Sequence, residues 1–343
     1  MKKRKFYIFL GIAVALWLNA MVVWGEDDPE GLVSKEAKAR RLLIHKGISY
    51  LVSLHQDEDL LAKEQYRATV TALSGLALLG AGYHPSRGPY HEELQKMIDR
   101  FIKVQRKDGY ISLGDNRSMY GHGFSTLFLA EAYGMSSDKK VHTALKKAID
   151  FIVAQQNERG GWNYEPDKGD EGSVTIVQIQ ALRAARNVGI EISREAIEKS
   201  IQYVKKSQYP NGSIGYQSGP SGNGTVALTA AGMAVLFNAG EYDLEDEVKQ
   251  KGFSFLDNNI SYELNASHFL YTHFYAAQVY KQRGSMYFSS YFSRIEKVLF
   301  SRIEGVVEKG NKLNIDNLGE IYSMAMSLLI LETSLDYLPI FTD

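Results

Sequence analysis

The sequence predicts an all-α protein of six helical hairpins, closed so that an outer ring of helices surrounds an inner one, and three observations predict it. The first is a recurring unit. Residues Gln155 to Gly189 hold one full copy: an amphipathic helix ending at Gln156, a turn with Gly160, Gly161 and Trp162, an acidic loop to Ser173, and an apolar helix that stops at Gly189. Equivalent anchors at Gln56, Gln105, Gln208 and Asn258 place successive copies 49, 51, 52 and 50 residues apart. The second observation is alternation. The first helix of each pair is amphipathic, as in Leu94, Met97, Ile98 and Phe101 or Leu145, Ala148, Ile149 and Ile152. The second helix, as in TVTALSGLALL, SVTIVQIQALRAA and TVALTAAGMAVLF, is apolar on nearly every side and so needs cover on every side. The third is punctuation: Gly82, Gly134, Gly189, Gly240 and Gly284 fall where the second helices end, and glycine takes a left-handed C-cap without a side-chain clash.

The second helices are expected over Thr69–Leu79, Tyr120–Tyr133, Ser173–Val188, Thr225–Ala239, His268–Tyr280 and Ile321–Glu332. A polar-faced helix can shield an apolar one from water, so the second helices read as an inner layer and the first as an outer one. An open superhelix is the alternative, but a period near 50 exceeds the roughly 34 to 47 residues of helical-hairpin arrays.

The N-terminus carries Lys2, Lys3, Arg4 and Lys5, then an uncharged run from Phe6 to Leu18, then Val23-Trp24-Gly25 with small or branched residues at the positions a signal peptidase reads. Residues 1–25 therefore read as an export signal, cleaved before Glu26, with an uncleaved membrane anchor as the alternative. Residues 26–36 read as a disordered acidic lead and 37–343 as one helical domain. Cleavage removes four of the 39 basic residues and none of the 40 acidic ones, which leaves a net charge of −5. That balance gives nucleic acid nothing to bind. The chain has no cysteine, which excludes disulfides, thiolate metal ligands and a cysteine nucleophile.

Gln156-x-x-x-Gly160-Gly161-Trp162, with weaker copies at Gln105 to Tyr110 and Gln208 to Ile214, resembles the QW-type repeat of squalene cyclases and of the β subunits of protein prenyltransferases. Over roughly residues 40–343 the chain is similar to exported bacterial prenyltransferase and squalene oxidase repeat-containing proteins, through MYGHGFSTLFLAEAYGM, SVTIVQIQALRAARNVGI, HFLYTHFYAAQVY and the terminal YLPIF. The resemblance implies an α/α toroid with a central cavity and an active site at the N-terminal ends of the inner helices. Its known chemistries are not carried over. The cyclase Asp-x-Asp-Asp and the diphosphate-binding Asp-Asp-x-x-Asp are missing, and a zinc site that needs cysteine cannot form.

What remains at those helix starts is Tyr120, His122, Asp170, Glu171, His268, Tyr271, His273 and Tyr322, the expected ligand-binding set. Their convergence follows from the ring, which brings every inner-helix start to one rim. For Asp170, Ser173 and Thr225 the competing reading is plain helix capping. For His122, between Gly121 and Gly123, it is a hydrogen-bonded structural histidine. A metal site at His122, His268 or His273 would need a carboxylate, but His268 and His273 lie about 140° apart on an ideal helix, and no metal or cofactor is expected. Trp162 reads as packing, and His45, His55, His84, His91 and His142 as surface. The expected partner is an apolar or isoprenoid-like small molecule, or an extracytoplasmic polypeptide. Two rivals stand beside it: an enzyme with a divergent His/Asp centre, and a scaffold whose core is filled by its own side chains.

Overall fold

A computed structural model describes residues 34–57, 60–61, 64–115, 117–166, 169–216 and 223–341. The expected export signal and the lead up to residue 33 lie outside the described residues. The chain divides into two compact units, one ending at Leu42 and the other running from Leu43 to Asp343. Of the first unit only the opening of helix α1 is described, where the Ser34 hydroxyl accepts the Ala37 amide at 3.1 Å.

The fold is all-α, with twelve helices and only isolated β-bridges among the described residues. The odd-numbered helices are α1 (Lys35–Gln56), α3 (His91–Val104), α5 (Lys139–Ala154), α7 (Arg194–Lys206), α9 (Glu247–Asn259) and α11 (Ser285–Lys309). Between them run α2 (Arg67–Gly80), α4 (Ser118–Ser136), α6 (Gly172–Asn187), α8 (Val226–Asn238), α10 (Phe269–Arg283) and α12 (Glu320–Glu332). A short 3₁₀ turn, Pro339–Phe341, ends the described chain.

The two sets differ as their sequences require. Helix α3 buries only the stripe Leu94, Met97, Ile98 and Phe101, whereas α8 buries every residue from Ala227 to Asn238. Leu76, Leu182 and Leu236, one from each of three even helices, are 1%, 0% and 0% exposed. Each even helix packs on the next, α2 on α4, α4 on α6, α6 on α8, α8 on α10 and α10 on α12, and α12 packs on α2. The odd helices dock on this set, α3 on α2, α5 on α4, α9 on α8 and α11 on α10.

Three glutamines fasten the hairpins with the same pair of hydrogen bonds. Gln105 Nε2 donates to the carbonyls of Gly109 at 3.0 Å and Ala144 at 2.8 Å. Gln156 does so to Gly160 at 3.1 Å and Ala196 at 2.9 Å, and Gln208 to Gly212 at 3.2 Å and Val248 at 2.7 Å. The glycine in each turn is obligatory twice over. Gly160 has φ +92°, and a Cβ there would sit 2.3 Å from the Lys199 carbonyl oxygen. Trp162, 1% exposed, anchors the same turn by donating its indole N–H to the Ile152 carbonyl at 2.7 Å.

One expected stop is displaced. Gly134 lies inside α4, which continues to Ser136 and ends at the left-handed Ser137. Gly134 serves packing instead, since a Cβ there would meet Val188 Cγ1 at 2.8 Å. The stops at Gly82, Gly189 and Gly240 have φ of 92°, 88° and 99°, as a left-handed cap requires, whereas Gly284 ends its helix at φ 125° and ψ 160°, a region open to glycine but not a left-handed cap.

Polar side chains bridge the space between even helices. Gln180 Nε2 of α6 donates to Gln278 Oε1 of α10 at 3.0 Å, and Arg183 Nη1 to Asn238 Oδ1 at 2.6 Å. The terminal turn packs on α6, and its Phe341 ring lies edge-on to Phe274 of α10 at 6.1 Å.

Candidate functional site

A cavity of about 160 Å³, open on one side, draws its walls from the N-terminal ends of all six even helices. Tyr66, Tyr120, Ser173, Leu228, Tyr271 and Tyr322 stand at or beside the starts of α2, α4, α6, α8, α10 and α12 respectively. The loops between them add Arg117, Tyr164, Tyr216 and His268. Six tyrosines thus line one small space. Their rings supply apolar faces, and burial pushes the hydroxyls of Tyr120, Tyr271 and Tyr322 well above the ordinary phenol range, which keeps them protonated donors. The Tyr271 hydroxyl is buried without a hydrogen-bond partner.

Of the eight residues expected at this rim, four line the cavity together: Tyr120, His268, Tyr271 and Tyr322. Glu171 stands behind them. Its Oε2 accepts the Val174 amide at 3.1 Å and the Ser173 hydroxyl at 2.6 Å, so it caps α6. Burial nevertheless raises its pKa, and its Oε1 is buried without a partner. Asp170 turns away from the cavity to pair with Arg159 at 2.5 Å. The capping role expected for Asp170 and Ser173 therefore belongs to Glu171, while Thr225 caps α8 as expected through the Leu228 amide at 3.1 Å.

His122 and His273 do not reach the cavity; both turn into the packing between helices. His122 Nδ1 accepts the Ile111 amide at 3.1 Å, and Nε2 lies 3.3 Å from the Ala148 carbonyl of α5. Tyr110 and Phe151 pack on its ring. His273 lies between the Tyr291 hydroxyl of α11, 2.9 Å from Nδ1, and the Ser261 carbonyl, 3.0 Å from Nε2. Burial pushes both imidazoles down to about 4, so they are neutral tethers. Other helices make the same tie with hydroxyls: Thr175 accepts the Trp162 amide, Thr229 the Ile214 amide and Ser323 the Ile315 amide, each at 2.9 Å. His268 does lie ahead of its helix, as the N-cap residue with φ 53°, but that places it at the cavity and leaves His273 behind. Among the described residues no group of three or more His, Asp or Glu is placed to hold a metal ion.

His55, expected at the surface, is half-buried with Nε2 2.7 Å from the Ser74 hydroxyl, and burial lowers its pKa to about 4.

Sequence reasoning missed Tyr66, Arg117, Tyr164 and Tyr216, which lie in loops with no helical pattern to flag them. It also missed two carboxylates that cap across hairpins. Asp115 Oδ2 accepts the Ala68 amide at 2.7 Å, and Asp316 accepts the Phe269 and Leu270 amides at 2.8 and 2.9 Å. Each lies in the loop leading to the next even helix. Burial raises the pKa of both, Asp115 to about 6 against the pull of its amide partners and Arg67.

No protein-family model matches the chain, and no curated protein matches it in sequence. Among the described residues no helix is long and apolar enough to cross a membrane.

Proposed function

We propose that residues 43–343 form a closed α/α toroid of six helical-hairpin repeats whose mouth, at the N-terminal ends of the inner helices, binds a small apolar ligand of single-ring size. One observation carries the reading: a single cavity has walls from the starts of all six even helices, residues up to about 250 positions apart in sequence. The packing of α12 on α2 and the three identical glutamine clamps support the toroid and its repeat. The resemblance to squalene cyclases and prenyltransferases supports that topology and is not extended to their reactions. With its N-terminal stretch read as an export signal, the protein meets its ligand outside the cytoplasm.

Volume sets the ligand class. A cavity of roughly 150 Å³ holds a benzene-sized molecule, whereas drug-sized ligands use about 300–1,000 Å³. The 160 Å³ here suits one ring and leaves no room for a long isoprenoid, and the bridge from Gln180 to Gln278 obstructs the interior between α6 and α10. Titration calorimetry with benzyl alcohol tests the reading. Saturable binding is expected for the native protein, and its loss in Leu318→Trp, where a half-buried loop residue is enlarged into the cavity while the unfolding midpoint is kept. No binding to the native protein would leave a scaffold with a filled core.

A further inference from the structure

We infer that the mouth takes its ring-bearing ligand as a carboxylate, held by the Arg117 guanidinium and the Tyr271 hydroxyl. The inference rests on the mouth being a ligand site, and it adds the ligand's charge and the two groups that read it.

Two liners of this cavity have unused donors. Tyr271 is 8% exposed, and its hydroxyl meets no hydrogen-bond partner, an arrangement that costs stability unless something fills it. Arg117 is exposed at the rim and pairs with no acidic side chain among the described residues. Its guanidinium lies over the Tyr164 ring at 4.5 Å, with Nη1 at 3.5 Å from the Tyr164 hydroxyl, a contact that orients the group and leaves most of its five N–H donors open. An arginine with open donors on one planar fork matches a carboxylate.

The backbone holds Arg117 in place at a cost. Its φ and ψ are 56° and 51°, left-handed values that a side-chain-bearing residue seldom adopts. His268 repeats the arrangement with 53° and 43°, immediately before α10 and in the same cavity wall. Neither side chain caps its own helix, so capping does not account for the conformation.

A tyrosine cage also suits an organic cation, but the charges around this one do not. Glu171 stands behind the tyrosines with Oε2 committed to α6 and Ser173 and Oε1 unpartnered, and burial favours its neutral form. Asp115 holds the Ala68 amide of α2 through Oδ2 and Asp316 the Phe269 and Leu270 amides of α10, and neither lines the cavity. The cavity-lining groups that carry or can take charge other than the phenols are Arg117 and His268, both basic.

The experiment compares three single-ring probes of similar size by calorimetry: phenylacetate, benzyl alcohol and benzyltrimethylammonium. Phenylacetate is expected to bind at least about tenfold more tightly than benzyl alcohol, the scale of one charge-assisted bidentate contact. Arg117→Gln should bring phenylacetate to within about twofold of benzyl alcohol, with the thermal unfolding midpoint as the control for the fold. Tyr271→Phe should weaken phenylacetate about threefold, with the thermal unfolding midpoint as the control for the fold. Equal binding of acid and alcohol, tighter binding of the ammonium, or tight phenylacetate binding that ignores Arg117→Gln would overturn the inference and leave the mouth standing as a site. If no probe binds, the site reading itself falls, and this inference with it.

Discussion

His122 accepts the Ile111 amide at 3.1 Å, and Thr175, the fourth residue of α6, accepts the Trp162 amide at 2.9 Å in the same way. An imidazole and a hydroxyl thus do one job in neighbouring hairpins, tying a glycine turn to the helix that follows.

The tie has a pH signature. Burial holds His55, His122 and His273 down at about 4, against an ordinary value of 6.5. The folded chain keeps these rings neutral where the unfolded chain protonates them. The stability they contribute is complete above pH 6.5 and is lost as pH falls towards 4, at about 1.4 kcal/mol per pH unit for each ring. His122→Thr, which copies Thr175, should flatten the slope of stability between these limits by about 1 kcal/mol per pH unit. Urea midpoints of both proteins at about pH 5 and about pH 7 check it; parallel losses would show that His122 does not titrate on unfolding.

Glu131 gives the opposite sign. Burial in α4 pushes its carboxyl up to about 8, opposed by the Ile340 amide and Arg183. The folded protein keeps this proton up to that pH, while the unfolded chain releases it near 4.5, so the burden on folding grows as pH rises through that interval. Glu131→Gln, neutral throughout, should stabilise the protein by about 2 kcal/mol at about pH 8 and by almost nothing at about pH 4. Denaturant titrations at the two pH values measure the difference directly.

Two glycines with nearly the same backbone separate strain from collision. Gly160 has φ +92° and a carbonyl 2.3 Å from its would-be Cβ, while Gly189 has φ +88° with nothing within 4 Å. Gly189→Ala should cost about 1 kcal/mol for the left-handed conformation alone. Gly160→Ala adds a backbone clash and should cost about 3 kcal/mol or more. Equal losses in thermal unfolding would remove the turn's close approach to Lys199 as a determinant.

Trp162→Ala should destabilise the protein by about 3–5 kcal/mol through the cavity it leaves, with benzyl alcohol binding unchanged in the folded variant. Trp162 is buried beside Ile152 and does not line the mouth. Unchanged stability with lost binding would place the ring in the site instead of the packing.

The even helices were legible because an apolar helix with no wet side has one structural solution, to be surrounded. Expected and observed bounds agree to within a few residues, as for Ile321–Glu332 against Glu320–Glu332. The histidines misled for an identifiable reason. Glycines beside His122 suggested room for a ligand, but a Cβ at Gly121 would meet Asp115 Oδ2 at 2.9 Å and one at Gly123 would meet Val177 at 2.7 Å. Those glycines admit neighbouring helices. Half of the expected site set reached the cavity, because rim position follows from the hairpin period, whereas the direction of a side chain around a helix depends on packing. Arg117 and Tyr216 sit in loops, where no periodicity marks them, yet each lies close to the start of an even helix.

Each glutamine clamp reaches forward, from a turn to a carbonyl 39 or 40 residues further along the chain. On the ribosome, Gln105, Gln156 and Gln208 therefore emerge well before their acceptors. A nascent hairpin waits about 40 residues, several seconds at ordinary synthesis rates of about 5–20 residues per second, before its turn can be fastened. Synthesis itself sets the order of closure, and a chain released before α9 has been made ends with the Gln208 turn unfastened.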